Sequence, residues 1–378
     1  MKGGVGTASL PHKHSHLGGF TVEHIDINDI SLDSLRHAII EKQGLQRRET
    51  EDYLRESCVT GYSKRQERFW NRDYSSFESY QASIEPNRRR WQAALGYSTF
   101  IPEGDFEPIE ELYFEDDHVI ATWISIRFGG YLRCRAIFAL PKQRSSPVPL
   151  VIAPHGYTSA PDDVFLSCSG KGYDSYGYRL SRNGFAVLMP LHITEAIPRA
   201  RYTRMSLVLG GTLFGLEISK LKRFLDYILA LDQVDSERVG MWGLSLGGTY
   251  TLITLPAEAR IKAGVISAYF NHRLTKMAVE DIRYTSYLST EEEHAFIPGW
   301  LREFSDRDLV SLICPKPLMI QTGKADWVSW WPDVVQEFKA AKAHYRKLDC
   351  AERLQLDLHE GGHEIRWTTG IEFLKRWL

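Results

Sequence analysis

From Pro149 onward, short apolar runs alternate with amphipathic helical stretches, and that alternation leaves the chain few folds. "PLVIAPHG" (Pro149 to Gly156) and "FAVLMP" (Phe185 to Pro190) read as buried strands, and "RVGMWG" (Arg238 to Gly243), "IKAGVISAYF", "KPLMIQTG" and "RLQLDLHEGG" as further strands. Between and after them, "GYRLSRNG", "FGLEISKLKRFLDYILAL" (Phe214 to Leu231), "PDVVQEFKAAKAHYRK" and "EIRWTTGIEFLKRWL" read as helices. Strands that are apolar on both faces and joined through helices imply parallel β-α-β units, hence an α/β fold with a doubly wound, mostly parallel sheet. One connection breaks the rhythm. Residues 271–315 separate two strands, and a connection of that length is usually a lid or a small subdomain.

The segment before this region has a different texture. Ile30 to about Leu95 is helical in pattern, with "SLDSLRHAIIEKQG" capped by Ser31 and ending at Gly44. "ELYFEDDHVIATWISIRF" and "YLRCRAIFALP" alternate polar and apolar residues around Gly129-Gly130 and predict an antiparallel hairpin. The expected organisation is therefore a mobile tail at 1–20, a helical N-terminal segment at 21–105 and a catalytic domain at 106–378 with an insertion at 271–315. The "HKHSH" run, His12 to His16, falls in the tail and reads as solvated polar chain rather than a metal site.

The bulk numbers exclude several classes. A net charge of −2 carries no nucleic-acid signature, and no stretch approaches a membrane span. The N-terminus lacks the apolar run of a signal peptide. Five cysteines, an odd number with no C-x-x-C spacing, argue against a disulfide framework and for reduced thiols. Together these lead us to expect a cytoplasmic enzyme with no nucleic-acid or membrane partner, and they leave a homo-oligomer open.

"MWGLSLGGTY" (Met241 to Tyr250) places Ser245 in a G-x-S-x-G pattern. With 29 glycines in the chain, the pattern by itself decides little. Its placement between a strand and a helix is what a serine nucleophile requires, because a sharp turn there lifts the hydroxyl above the sheet. Such a serine needs a histidine base, and the histidine needs an orienting carboxylate. Both should follow the ends of later strands. Asp326 follows "PLMIQT", and His363 lies in the glycine-rich loop after "LQLDLHE". Asp333 is a rival acid, but it opens a helix, where acids serve the helix terminus. His359 is a rival base, but it sits within a strand. His118, His192, His272 and His294 have no such placement. The oxyanion site needs two backbone N–H donors, and Leu246 and Tyr157 are the candidates. His155, Arg201, Trp327 and Trp330 are candidate substrate contacts; for the arginines and tryptophans, surface and packing roles compete.

These stretches, in this order, resemble the α/β-hydrolase superfamily, within it the dienelactone-hydrolase-like and acetyl-xylan-esterase-like serine esterases. The likeness runs from about Glu110 to the C-terminus. It implies an α/β-hydrolase fold and ester hydrolysis through an acyl-enzyme with no metal or organic cofactor. The expected substrate is a small-molecule ester, of a small acyl group or linked to carbohydrate. The alternative is a carbon–carbon bond hydrolase or lyase using the same three residues on a bulky ketone, with the N-terminal helices over the site. A peptidase is disfavoured because no propeller or large partner domain is present, and a non-catalytic scaffold has no reason to keep all three residues in place.

Overall fold

The computed structural model describes residues 31–144, 147–167, 170 and 172–378. The histidine-rich tail and Cys168 lie outside them. Two units are distinguished, residues up to Leu54 and residues from Arg55 on. The first holds the exposed, polar start of helix α1 (Leu32–Phe69). This helix runs through Gly44, where the sequence suggested a stop. One glycine costs a helix only about 1 kcal/mol, and no left-handed turn forms there to end it.

In the second unit, helix α2 (Phe77–Leu95) is capped by the Ser76 hydroxyl and closed by Gly96 in the left-handed region. It is not a free-standing extension. Trp91 is fully buried; its indole N–H donates to the Ile253 carbonyl (3.1 Å) and its ring meets Trp300 and Phe304 edge-on.

Nine strands of the described residues form one mixed sheet: β1 (Ile109–Glu115), β2 (Val119–Gly129), β3 (Leu132–Pro141), β4 (Val148–Ile152), β5 (Ala186–Pro190), β6 (Val234–Leu244), β7 (Ala263–Ser267), β8 (Leu318–Gly323) and β9 (Leu354–His359). Their spatial order is β1-β2-β3-β5-β4-β6-β7-β8-β9. From β5 to β9 neighbouring strands are parallel, while β1, β2 and β3 extend the sheet antiparallel. The stretch expected as one arm of a hairpin is two strands. Asp116 turns the chain between them by accepting the N–H groups of His118 and Val119.

Helices cover both faces. On one lie α2, α6 (Leu213–Ile228), α7 (Leu246–Thr254), α10 (Asp306–Ile313) and α11 (Trp331–Lys347). On the other lie α3 (Pro161–Leu166), α4 (Tyr176–Arg182) and α12 (Trp367–Trp377). The α/β class, the mostly parallel sheet and the helical N-terminal segment are as the sequence implied. Helix α5 (Ala196–Val208) occupies a stretch that the sequence did not mark as helical. The 271–315 connection is itself built of short helices, α8 (Arg273–Ala278), α9 (Trp300–Glu303) and α10, with two single 3-10 turns. No helix of the described residues is long and apolar enough to cross a membrane.

Buried ions hold this connection in place. Arg65 and Arg72 each reach Asp308 at 2.8 Å, and Arg273 grips Asp306 at 2.7 and 2.8 Å. Glu337 of α11 is buried beside them, 1% exposed, accepting the Arg307 N–H (3.1 Å). Burial pushes its carboxyl up to about 7, with Asp306 and Asp308 adding to the rise and Arg307 opposing it. A carboxyl with a pKa higher folded than unfolded holds a proton that the unfolded chain releases. Its contribution is therefore intact below the ordinary carboxylate range and is lost as pH rises towards 7. In urea titrations at pH 5 and pH 8, wild type should lose up to about 3 kcal/mol relative to Glu337→Gln as pH rises. An offset that does not move with pH would remove Glu337 from this account.

Candidate active site

Strand β6 delivers Ser245 to the N-terminus of α7 by a turn that most residues avoid. Its backbone sits at φ 60, ψ −122, and its N–H donates to the Ser267 carbonyl at 3.0 Å. Such a conformation costs about 1–3 kcal/mol and persists only where its surroundings enforce it. They do so by close approach. A Cβ on Gly247 would lie 2.2 Å from the Pro154 carbonyl oxygen, so only glycine lets α7 meet the end of β4. The serine side chain is left partly exposed. The first N–H groups of α7, beginning with Leu246, have no partner within the helix.

The loop after β4 approaches from the other side. A Cβ on Gly156 would sit 3.4 Å from Ser245 Cβ. The Gly156 N–H donates to the Tyr173 hydroxyl (2.6 Å), and Tyr157, next in the chain, lines the cavity. His155 is fully buried beneath this loop. Its Nε2 accepts the His192 N–H at 3.0 Å, so the proton is on Nδ1, which donates to the Gly156 carbonyl at 3.1 Å. Burial lowers its pKa to about 4 and keeps the ring neutral. His155 is thus a support for the loop and does not reach a substrate, contrary to the sequence expectation.

Asp326 and His363 meet across two loops that are stitched together. Lys324 N–H donates to the His359 carbonyl (2.8 Å) and Ala325 N–H to the Gly361 carbonyl (3.1 Å). A Cβ on Gly323 would fall 2.2 Å from the Gly361 oxygen, so this seam also requires glycine. His363 Nδ1 lies 3.1 and 3.2 Å from the two carboxylate oxygens of Asp326. Nδ1 is thus the ring nitrogen turned to the carboxylate, and the imidazole lines the cavity. The Val328 N–H, 2.8 Å from Asp326 Oδ1, fixes the carboxylate. Asp333 occupies the first turn of α11, and His359 is buried with Nδ1 accepting the Gly361 N–H (3.2 Å). Neither rival shares the Asp326–His363 contact.

Ser245 and His363 line one cavity of about 610 Å³, together with Tyr157, Tyr173, Leu246, Tyr269 and Trp327. No hydrogen bond joins Ser245 Oγ to His363 among the described residues; in an unliganded hydrolase this contact is often long. Among the candidate substrate contacts, Trp327 lines the cavity and is 68% exposed. Arg201 does not line it; it is exposed on α5. Its neighbour Arg199 is the buried one, 3.2 Å from Glu217. Trp330 also lies outside the lining; the Arg283 guanidinium sits 5.2 Å over its ring. The connection at 271–315 adds Lys276, Thr285, Tyr287 and Glu292, which the sequence reading did not single out. Their only signal was the charge density of that segment.

Residues 217–365 match the model of the prolyl oligopeptidase family. YtaP of Bacillus subtilis (strain 168), a hydrolase by its assigned name, is 24% identical over 285 residues, covering 71% of this chain and 92% of that protein. Among solved structures, a Bacteroides fragilis NCTC 9343 protein named as an acetyl xylan esterase matches with TM-score 0.58 at 12% identity, over 76% of this chain and 79% of that one. A CE15 glucuronoyl esterase from Teredinibacter turnerae T7901 matches with TM-score 0.58 at 13% identity, over 81% and 89%. Identities this low show the fold alone, and that fold is the α/β-hydrolase fold.

Proposed function

We propose that this α/β-hydrolase-fold chain is a serine carboxylic-ester hydrolase in which Ser245, His363 and Asp326 act as nucleophile, base and orienting acid. The observation that carries the reading is the Asp326–His363 pair opening onto the same cavity as a strained, glycine-flanked serine. His363 Nε2 takes the proton as Ser245 Oγ attacks the ester carbonyl, and Asp326 stabilises the imidazolium that forms. The oxyanion is held by the N–H groups of Leu246 and Tyr157. His363 returns its proton to the leaving alcohol, and water repeats the sequence on the acyl-enzyme. The esterase names among the fold neighbours support an ester over a ketone substrate, and a cavity of this size suits a small acyl group or a carbohydrate-linked ester. The free thiols of Cys58, Cys134, Cys314 and Cys350 support a reducing, cytoplasmic location.

Trapping the intermediate tests this directly. After a brief reaction with p-nitrophenyl acetate and an acid quench, mass spectrometry should find one acetyl group on the peptide that holds Ser245. Turnover with acetyl found only on other peptides would sink the assignment.

A further inference from the structure

Lys276 and Glu292 bring two opposite charges to the cavity wall without pairing to one another. Lys276, on α8, is 2% exposed. Its ammonium donates to the Thr285 and Val328 carbonyls, the latter at 2.7 Å, and lies 4.8 Å from the centre of the Tyr287 ring. Two of its three N–H donors are therefore used and one is left for an occupant of the cavity. Glu292 lies in the turn before Glu293; its backbone N–H donates to the Thr290 hydroxyl (3.4 Å), and the charge of Lys276 is felt by its carboxylate without direct contact. Burial lowers the lysine to about 8 and raises the glutamate. The lysine is buried and the glutamate half-buried where they meet the cavity.

A buried donor and a half-buried acceptor on one cavity wall, not paired with each other, are complementary to a group that both accepts and donates. A hydroxyl does both, and two neighbouring hydroxyls can take one charge each. A carboxylate suits the site less well, because Glu292 and Glu364 both line the cavity and repel it. Trp327, largely exposed, adds an aromatic face on which the C–H side of a hydroxylated ring can rest.

We propose that Lys276 and Glu292 form a specificity pocket for the neutral, hydroxyl-bearing part of the substrate, so that the preferred ester is one of a vicinal diol, as in a pyranose ring. This rests on the ester-hydrolase reading. Lys276 donates to one hydroxyl oxygen, Glu292 accepts the proton of its neighbour, and the ester is presented to Ser245.

A matched pair of esters tests it: a monoacetate of methyl β-xyloside, with free hydroxyls, against cyclohexyl acetate, with none. Wild type should favour the xyloside ester in kcat/KM by at least about tenfold, because a site built to bind hydroxyls leaves its buried polar groups unpaired by the analogue. Glu292→Gln and Lys276→Met should each cut that ratio about fivefold or more. Lys276 also anchors two carbonyls, so Glu292→Gln, which keeps shape and one acceptor oxygen, is the cleaner variant. Equal handling of the two esters by wild type, or a ratio that neither variant moves, overturns the pocket while leaving the esterase reading intact. Absence of turnover on both esters counts against the esterase reading instead. Binding of methyl β-xyloside to wild type and Glu292→Gln, followed by saturation-transfer NMR, then decides the pocket: an equal signal from both proteins, or none from either, overturns it.

Discussion

Ser245→Ala should lower kcat on p-nitrophenyl acetate by about 10⁴-fold or more while leaving the fold in place. The loss is large because the three side chains work as one device. His363 has no proton to take once the hydroxyl is gone, and the residual rate comes from oxyanion donors and binding alone. The substitution removes a single oxygen from a partly exposed side chain whose backbone N–H remains bonded to Ser267, so a thermal melt should shift by only a few degrees. That pairing of results matters, since activity lost together with the melt would report unfolding. A variant retaining more than about a tenth of the wild-type rate with an unchanged melt would exclude Ser245 as nucleophile.

Asp326→Asn should cost about 10²–10⁴-fold in kcat, and Asp333→Asn almost nothing. The amide that Asp326→Asn introduces would still fit the space, held near the Val328 N–H. Its nitrogen, however, is a donor, and facing His363 Nδ1 it favours the wrong tautomer and moves the imidazole proton to Nε2. That ring nitrogen could then no longer accept from Ser245. Asp333 sits in the first turn of α11, where its charge serves the helix terminus at a level of about 0.3–1 kcal/mol. Steady-state kinetics on the two variants separates the acids. If Asp333→Asn were the more damaging, the Asp326–His363 contact would be structural.

The elements that proved legible share one property: their signal is local. The cores of such runs, "PLVIAP" and "PLMI", are apolar because both of their faces are covered, and that is visible residue by residue. Asp326 and His363 could be singled out because each follows a strand at a glycine-loosened end. What escaped depended on neighbours distant in the chain. The Asp116 turn was hidden inside a continuous alternation, since alternation continues on both sides of a tight turn. Arg199 lies in a stretch with no marked period, and only the fold sets it against Glu217 and the Tyr250 hydroxyl. Lys276 and Glu292 belong to short helices and turns with no period at all. Their approach to the cavity is decided by Thr285 and Val328 carbonyls that no pattern announces. His155 misled because it adjoins the functional loop; proximity in sequence to a donor amide says nothing about which way the ring is turned.

The arginines that secure the 271–315 connection have a consequence for any attempt to exchange it. Asp306 carries its partner, Arg273, within the same segment, whereas Asp308 draws on Arg65 and Arg72 from the N-terminal helix and the turn that follows it. Moved alone into another hydrolase scaffold, the segment would arrive with a buried aspartate stripped of both guanidinium groups, a defect of roughly 3–5 kcal/mol. The connection that helps line the cavity and the helix that neutralises its aspartate would thus have to be moved together, although more than two hundred residues lie between them in sequence.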